Sequence, residues 1–188
     1  MAYYTDVELR SLGLARFGHD VKISTKASLY NCGRISLGNH VRIDDFCVLS
    51  AGEGGIEIGD YVHIAVFCSV MGTGRITFED FSGLSSRVSI YSSNDDYSGE
   101  RLTNPTVPGE FTGVTKADVK LCRHVIVGAG AVILPGVVLH EGAAIGSLSL
   151  VRRDCDPFTI YSGVPAKRIA ERSRGLLTQE RQLRERGD

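Results

Sequence analysis

Leu121-Cys-Arg-His-Val-Ile-Val-Gly-Ala-Gly-Ala-Val-Ile-Leu-Pro-Gly-Val-Val-Leu-His-Glu-Gly-Ala-Ala-Ile-Gly-Ser-Leu-Ser-Leu-Val151 carries an aliphatic residue at every sixth position: Leu121, Val127, Ile133, Leu139, Ile145 and Val151. The same count runs backwards in trios: Phe78, Leu84, Ile90; Ile58, Ile64, Val70; Leu37, Ile43, Leu49; with Ile23 and Leu29 before them. A period of six fits neither the 3.6 of a helix nor the 2 of a simple strand. It fits a solenoid whose every side is one short strand, three sides to a coil. The residue two places before each member is small or β-branched (Val41, Cys47, Val62, Cys68, Val88, Val125, Ala131, Val137, Ala143, Ser149). Two apart on a strand means the same face, so both sets point inward.

The interruptions of the count are equally regular. Extra residues follow Leu29, Leu49, Val70 and Ile90, each time after the same side of the coil, so they all leave from one corner of a triangular prism. Three are short Gly-bearing turns, but Ile90 to Leu121 is a long excursion. Connections beyond about 12–15 residues in a compact domain are commonly functional. The segment from Tyr91 to Lys120 is therefore the first place to look for chemistry.

A chain of 188 residues with net charge −1 is one domain with appendages and lacks the basic excess of an electrostatic nucleic-acid binder. Its five cysteines show no CxxC spacing, and Cys47, Cys68 and Cys155 fall on interior positions, which suits packing in a reducing cytoplasm. The apolar run Val125–Leu139 is shorter than the roughly 20 residues a membrane span needs. Asp6 and Glu8 near the start argue against a leader peptide. Residues 1–20 read as a helical cap, with Thr5-Asp6-Val7-Glu8 in the form of a capping box. Residues 21–165 read as the solenoid with a loop extruded at about 91–118, and 166–188 as a helical tail rich in Lys, Arg and Glu. Both ends would hide the terminal core.

From Val21 to Ile169 the chain resembles the hexapeptide-repeat acyltransferases. The most specific stretches are His124–Ser147 and Ser162-Gly-Val-Pro-Ala-Lys-Arg-Ile169. The resemblance implies an all-β, left-handed parallel β-helix. General crossover rules favour the other hand, so handedness rests on the family alone. It also implies a homotrimer with active sites between subunits, and acetyl-CoA as co-substrate with no metal. The coenzyme would lie along the last coils, past Ala129 and Ser147. Arg152 and Arg153 would take its 3′-phosphate, with Lys167 and Arg168 near the adenine. Arginine's planar fork suits phosphate.

Sugar acetyltransferases of this family place a general-base histidine just past the loop-bearing coil, in a Thr-x-x-His-Pro-like context. Here the matching positions are Asn94 or Asp95, followed by Asp96, and no histidine lies between Tyr91 and Lys120. An acceptor hydroxyl or protonated amine must still lose a proton. Two candidate catalytic groups remain, His63 on a coil wall and Asp95 in the loop. Alternatively, the acceptor amine passes its proton to the departing thiolate. Asn94, Asp96, Tyr97 and Asn104 suit binding of a polar or cationic acceptor, although Ser-Asn-Asp-Asp is also ordinary turn chemistry. His19, His40 and His140 fall in turn-like contexts and are expected in solvent, and His124 receives no role. The expected activity is acetyl transfer to a hydroxyl or amine of a sugar or nucleotide-sugar, in cell-surface polysaccharide synthesis. Two alternatives are a scaffold subunit that kept the prism without the chemistry, and a carbonic-anhydrase-like zinc enzyme, whose three imidazoles the histidine spacing does not provide.

Overall fold

The computed structural model describes residues 2–186, and these form a triangular β-solenoid. Three parallel sheets make the faces. The first face stacks Lys22–Ile23, Arg42–Ile43, His63–Ile64, Gly83–Leu84, Ile126–Val127, Ala144–Ile145 and Thr159–Ser162. The second stacks Ser28–Tyr30, Val48–Ala51, Ser69–Gly72, Ser89–Tyr91, Val132–Ile133 and Leu150–Val151. The third stacks Ile35–Leu37, Ile56–Ile58, Ile76–Phe78, Val119–Leu121 and Val138–Leu139. Register follows the hexads: Ile43 pairs with Ile64, Leu84 with Val127 and Val127 with Ile145. The hexad residues from Leu37 to Val151 are buried, as are the small residues beside them.

Each coil turns its corners with a residue in the left-handed region. His40, Tyr61, Phe81, His124 and Phe158 do so between the third and first faces. Phe46, Phe67, Arg87, Gly130 and Leu148 do so between the first and second. A non-glycine residue costs about 1–2 kcal/mol there. Hydrogen bonds to the preceding coil offset that, as in Phe67 N–H to Asp45 C=O and Arg87 N–H to Val66 C=O. The corner between second and third faces instead sheds the extra residues, including the long loop. That loop is stiffened by an antiparallel pair, Ser93–Asn94 with Thr115–Lys116.

Helix α1 (Asp6–Ser11) has the expected capping box between Thr5 and Glu8, and its Leu9 is buried against the first coil. The tail departs from the expected helical reading. Lys167–Glu171 is a strand, antiparallel to Thr159–Ser162 at the edge of the first face, and only Leu176–Glu185 is helical (α2). Its backbone pairs with the open edge that a solenoid must cover.

Candidate active site

A cleft of about 580 Å³ opens on the first face, between Tyr61 and Phe81 on one corner and Ala65, Ser85 and Ser86 on the other. His63 and Ile126 lie on its floor, and Arg172 and Leu176, in and just beyond the link to α2, overhang it. Arg172 is fixed there by donating to the carbonyls of His124 and Gly142 at 2.8 and 2.9 Å.

His63 points outward, as its place one before Ile64 requires, and its side chain is half-exposed. Asp44, on the preceding coil and buried, accepts a hydrogen bond from His63 Nε2 at 2.9 Å through Oδ2. Its Oδ1 accepts from Arg42 Nε at 2.7 Å. With Nε2 as donor, the Nδ1 lone pair of His63 is the basic one. Sequence reading missed Asp44, although the coil length of 21 between Arg42 and His63 places it diagonally opposite. Behind Ser85 the buried Cys68 thiol donates to the Ser85 carbonyl at 3.1 Å. Its hydrogen bond with Cys47 and its burial push that thiol far above the usual range.

The loop candidates are elsewhere. Asp95 and Tyr97 are exposed at the corner between second and third faces, and no residue of 91–118 lines the cleft. His63 and Asp95 therefore do not meet within one chain. Asp96 is committed to its own turn: Oδ1 accepts from the N–H and hydroxyl of Ser98 at 2.9 and 2.7 Å, and Oδ2 from Arg101 N–H at 2.9 Å. The Ser98 hydroxyl and these backbone donors lower its carboxyl to about 2. Asn104 likewise accepts from the N–H of Thr106, at 3.1 Å, in a tight turn. Both side chains organise the loop. Asn94 sits half-buried in the short loop strand.

The coenzyme candidates also divide. Ala129 and Ser147 are exposed at successive coils of the corner between first and second faces. Arg152, Arg153 and Lys167 gather around a cleft of about 310 Å³ at the C-terminal end of the prism. Arg168 is not in that cleft and pairs with Glu171 at 3.5 Å. The glycines beside Ala129 and Ser147 have an additional reason: a Cβ on Gly128 would come within 2.6 Å of Ser147 N, and one on Gly146 within 2.6 Å of Ser162 Oγ. Coil stacking demands them, and the accessible backbone is a consequence.

His124, given no role from sequence, is held inside the fold. It is buried, stacks on Phe81 at 5.2 Å, and its Nε2 bonds Glu180 Oε2 at 2.7 Å. Arg123 and Arg184 pair with the same carboxylate, and Arg184 also reaches Asp80. His40, expected in solvent, is instead stacked on Tyr61 at 4.5 Å. No spacing rule could have joined His124 to a glutamate in a helix outside the repeat. Among the described residues, no three His, Cys, Asp or Glu side chains converge as a zinc centre would need.

No protein-family profile matches the chain. It is 56% identical over 180 residues to the dTDP-4-amino-4,6-dideoxy-D-glucose acyltransferase of Escherichia coli, covering 96% of this chain and 94% of that one. The chain belongs to the hexapeptide-repeat sugar acyltransferases. A second relative, the putative lipopolysaccharide biosynthesis O-acetyl transferase WbbJ of Escherichia coli K12, is 30% identical over 74% of this chain and 72% of its own. Among solved structures, AntD, an N-acyltransferase from Bacillus cereus in complex with dTDP and 3-hydroxybutyryl-CoA, superposes with a TM-score of 0.93 at 42% identity, covering 97% and 96% of the two chains. An AntD serine variant in complex with dTDP-4-amino-4,6-dideoxyglucose and coenzyme A gives the same score, at 97% coverage of both. The solenoid is the left-handed parallel β-helix of this family, and the chain is a coenzyme A-dependent sugar acyltransferase.

Proposed function

We propose that the enzyme transfers an acyl group from acyl-CoA to the 4-amino group of a dTDP-linked 4-amino-4,6-dideoxyhexose. The observation carrying this is the 56% identity along nearly the whole chain to an enzyme of that name. An amine acceptor also agrees with the loop that lacks a histidine, since a neutral amine attacks a thioester without an added base once it has shed its ammonium proton.

In this reading the sugar occupies the cleft over His63, Ser85 and Ser86. Its amine attacks the thioester carbonyl, and backbone N–H groups at the corner hold the oxyanion. The tetrahedral intermediate then expels the coenzyme A thiolate, which takes up the proton released by nitrogen. His63 Nδ1 or the Asp95 carboxylate accepts the ammonium proton beforehand. The pantetheine arm runs along the corner past Ala129 and Ser147, and the 3′-phosphate reaches Arg152, Arg153 and Lys167.

Loop and cleft lie at the two edges of the second face. Its outward side chains carry no charge: Tyr30, Val48, Met71, Tyr91, Val132 and Leu150 alternate with serines. Packing of that face around a three-fold axis would bring Asp95, with Tyr97, to a neighbour's His63. This supports a homotrimer whose site is shared between subunits. Five free cysteines suit the cytoplasm, and the polysaccharide-type relative suits a role in cell-surface glycan synthesis.

The test is turnover of dTDP-4-amino-4,6-dideoxyglucose with acetyl-CoA, followed by release of free thiol and the mass of the sugar product. An N-acetylated product is expected. Hydrolysis of acetyl-CoA unaffected by the sugar would refute the acceptor, and acetylation of a hydroxyl in sugars lacking the amine would favour the WbbJ-like chemistry.

A further inference from the structure

Inside the corner between the first and second faces, each coil contributes one buried residue: Ala27, Cys47, Cys68, Val88, Ala131 and Ser149. Three residues before each lies a carbonyl at the start of the turn. In three coils that carbonyl is met from its own coil. Ala27 N–H donates to Ser24 C=O at 3.0 Å, Ala131 N–H to Gly128 C=O at 3.2 Å, and the Ser149 hydroxyl to Gly146 C=O at 2.7 Å. At Ala65 and Ser85, the two lip residues of the cleft, the pattern changes. Ala65 C=O accepts from the Cys47 thiol at 3.0 Å, and Ser85 C=O from the Cys68 thiol at 3.1 Å, each from the coil before. No other donor reaches the Ser85 carbonyl among the described residues.

A carbonyl turned into an apolar interior needs a donor. Here a thiol supplies it, although S–H is a weak donor, and the arrangement recurs only where the corner borders the cleft. The hydrogen bond with Cys47, together with burial, keeps the Cys68 thiol in its protonated, donating form. Fixing the Ser85 carbonyl inward fixes the whole planar trans peptide, so Ser86 N–H points the opposite way, outward. That N–H meets no acceptor among the described residues, and Ser86 lines the cleft.

We propose that Cys68 is a positioning residue of the transfer reaction. Through the Ser85–Ser86 peptide it aims Ser86 N–H at the thioester oxygen that becomes the oxyanion. The thiol itself touches neither substrate. A donor aimed at charge that develops only in the transition state is read in kcat and not in binding. The inference rests on the transfer taking place over Ser85 and Ser86, as proposed above.

Cys68→Ala and Cys68→Val test it, because they bracket the thiol in volume and neither can donate. Ala131 and Val88 hold the same position in other coils, so both substitutions suit the fold. With acetyl-CoA and dTDP-4-amino-4,6-dideoxyglucose, kcat should fall about tenfold in both variants, less than the roughly 100-fold or more that follows outright loss of an oxyanion donor. KM for either substrate and coenzyme A affinity should stay unchanged, the latter reporting an intact prism. Should one variant lose coenzyme A binding, the other decides. A packing role would separate the void left by alanine from the space filled by valine. Wild-type kcat in either folded variant overturns the proposal, as does a loss that appears in KM instead. If the unaltered enzyme leaves that sugar untouched, the acceptor reading fails, and a crystal structure of Cys68→Val decides the positioning by itself. A Ser85 carbonyl swung away from the core upholds it, and one left in place overturns it.

Discussion

The cleft on the first face, lined from three successive coils, and the loop from Tyr91 to Lys120, which leaves the middle one, face different sides of the prism. The cleft is made of repeat positions whose backbone is fixed by strands above and below, so His63 is aimed by register and tethered by Asp44. The loop is made of residues the repeat expelled, shaped by local turns at Asp96 and Asn104 and one short strand pair. A solenoid wall is rigid and built from neighbours in the stack, so it can orient a side chain but cannot bend to surround a substrate. Enclosure has to come from what leaves the wall. Because this loop leaves at the far edge of the second face, the proposed trimer would set it over a neighbour's cleft rather than its own.

That division can be broken directly. Asp95→Ala should lower kcat about 100-fold if the carboxylate handles the ammonium proton, within the usual range for a general base. His63→Ala should also lower it strongly. Co-expressed and purified as mixed assemblies, the two variants should regain activity, because some sites then combine an intact cleft with an intact loop. For random mixing around a heterologous three-fold, about a quarter of the sites are repaired. Steady-state rates of the mixture against each parent check this. A mixture no better than its parents would place loop and cleft in the same chain's site, or remove one of the residues from it.

A smaller effect separates orientation from chemistry in the wall. Asp44→Asn keeps a hydrogen-bonding group beside His63 but removes the charge that selects the Nε2 proton. About a tenfold fall in kcat is expected, with KM for acetyl-CoA unchanged. If His63→Ala and Asp44→Asn leave kcat where it was, His63 is a surface imidazole and the proton leaves by Asp95 or with the thiolate.

The same contrast explains what the sequence disclosed. Residues governed by the repeat were legible because period six fixes inward and outward: His63 outward, Cys47, Cys68 and Cys155 inward, and all extra residues at one corner. Contacts one coil apart, such as Asp44 with His63 or Phe46 with Phe67, were within reach of register counting once the coil length of 20 or 21 was known. Contacts from outside the repeat were not. Glu180 meets His124 across 56 residues, with no periodicity to relate them. Asp96, read from sequence as either an acceptor ligand or a turn residue, anchors its own turn, because Asp in a polar loop satisfies its own backbone as readily as a substrate.

At the C-terminal coils the proposed donor end yields a milder test. Arg152→Ala with Arg153→Ala should weaken coenzyme A about tenfold, and 3′-dephospho-coenzyme A much less. Equal losses for the two ligands would mean that these arginines shape the end cleft without touching the phosphate.

The smallest expected effect concerns the roof. Leu176, the first residue of α2, overhangs the cleft, and the helix is held to the wall mainly through Glu180, whose surroundings are Arg123, Arg184 and His124, with Asp80 reached through Arg184. Burial pushes the Glu180 carboxyl up, but the hydrogen bonds from Arg184 and His124 and the Arg123 charge outweigh it, so it lies below the ordinary value. A group with a lowered folded value stabilises fully above its unfolded value, about 4.3, and loses that contribution as pH falls through the folded one. Glu180→Gln should therefore lower Tm at pH 7, by the equivalent of about 1–3 kcal/mol for a buried charged hydrogen-bond partner. The gap between wild type and variant should narrow below about pH 4.3. The acceptor KM should rise with the loosened roof, while coenzyme A affinity holds. A gap that persists unchanged to low pH would show that α2 is held by its leucines instead, and that the roof, like the wall, is a matter of packing.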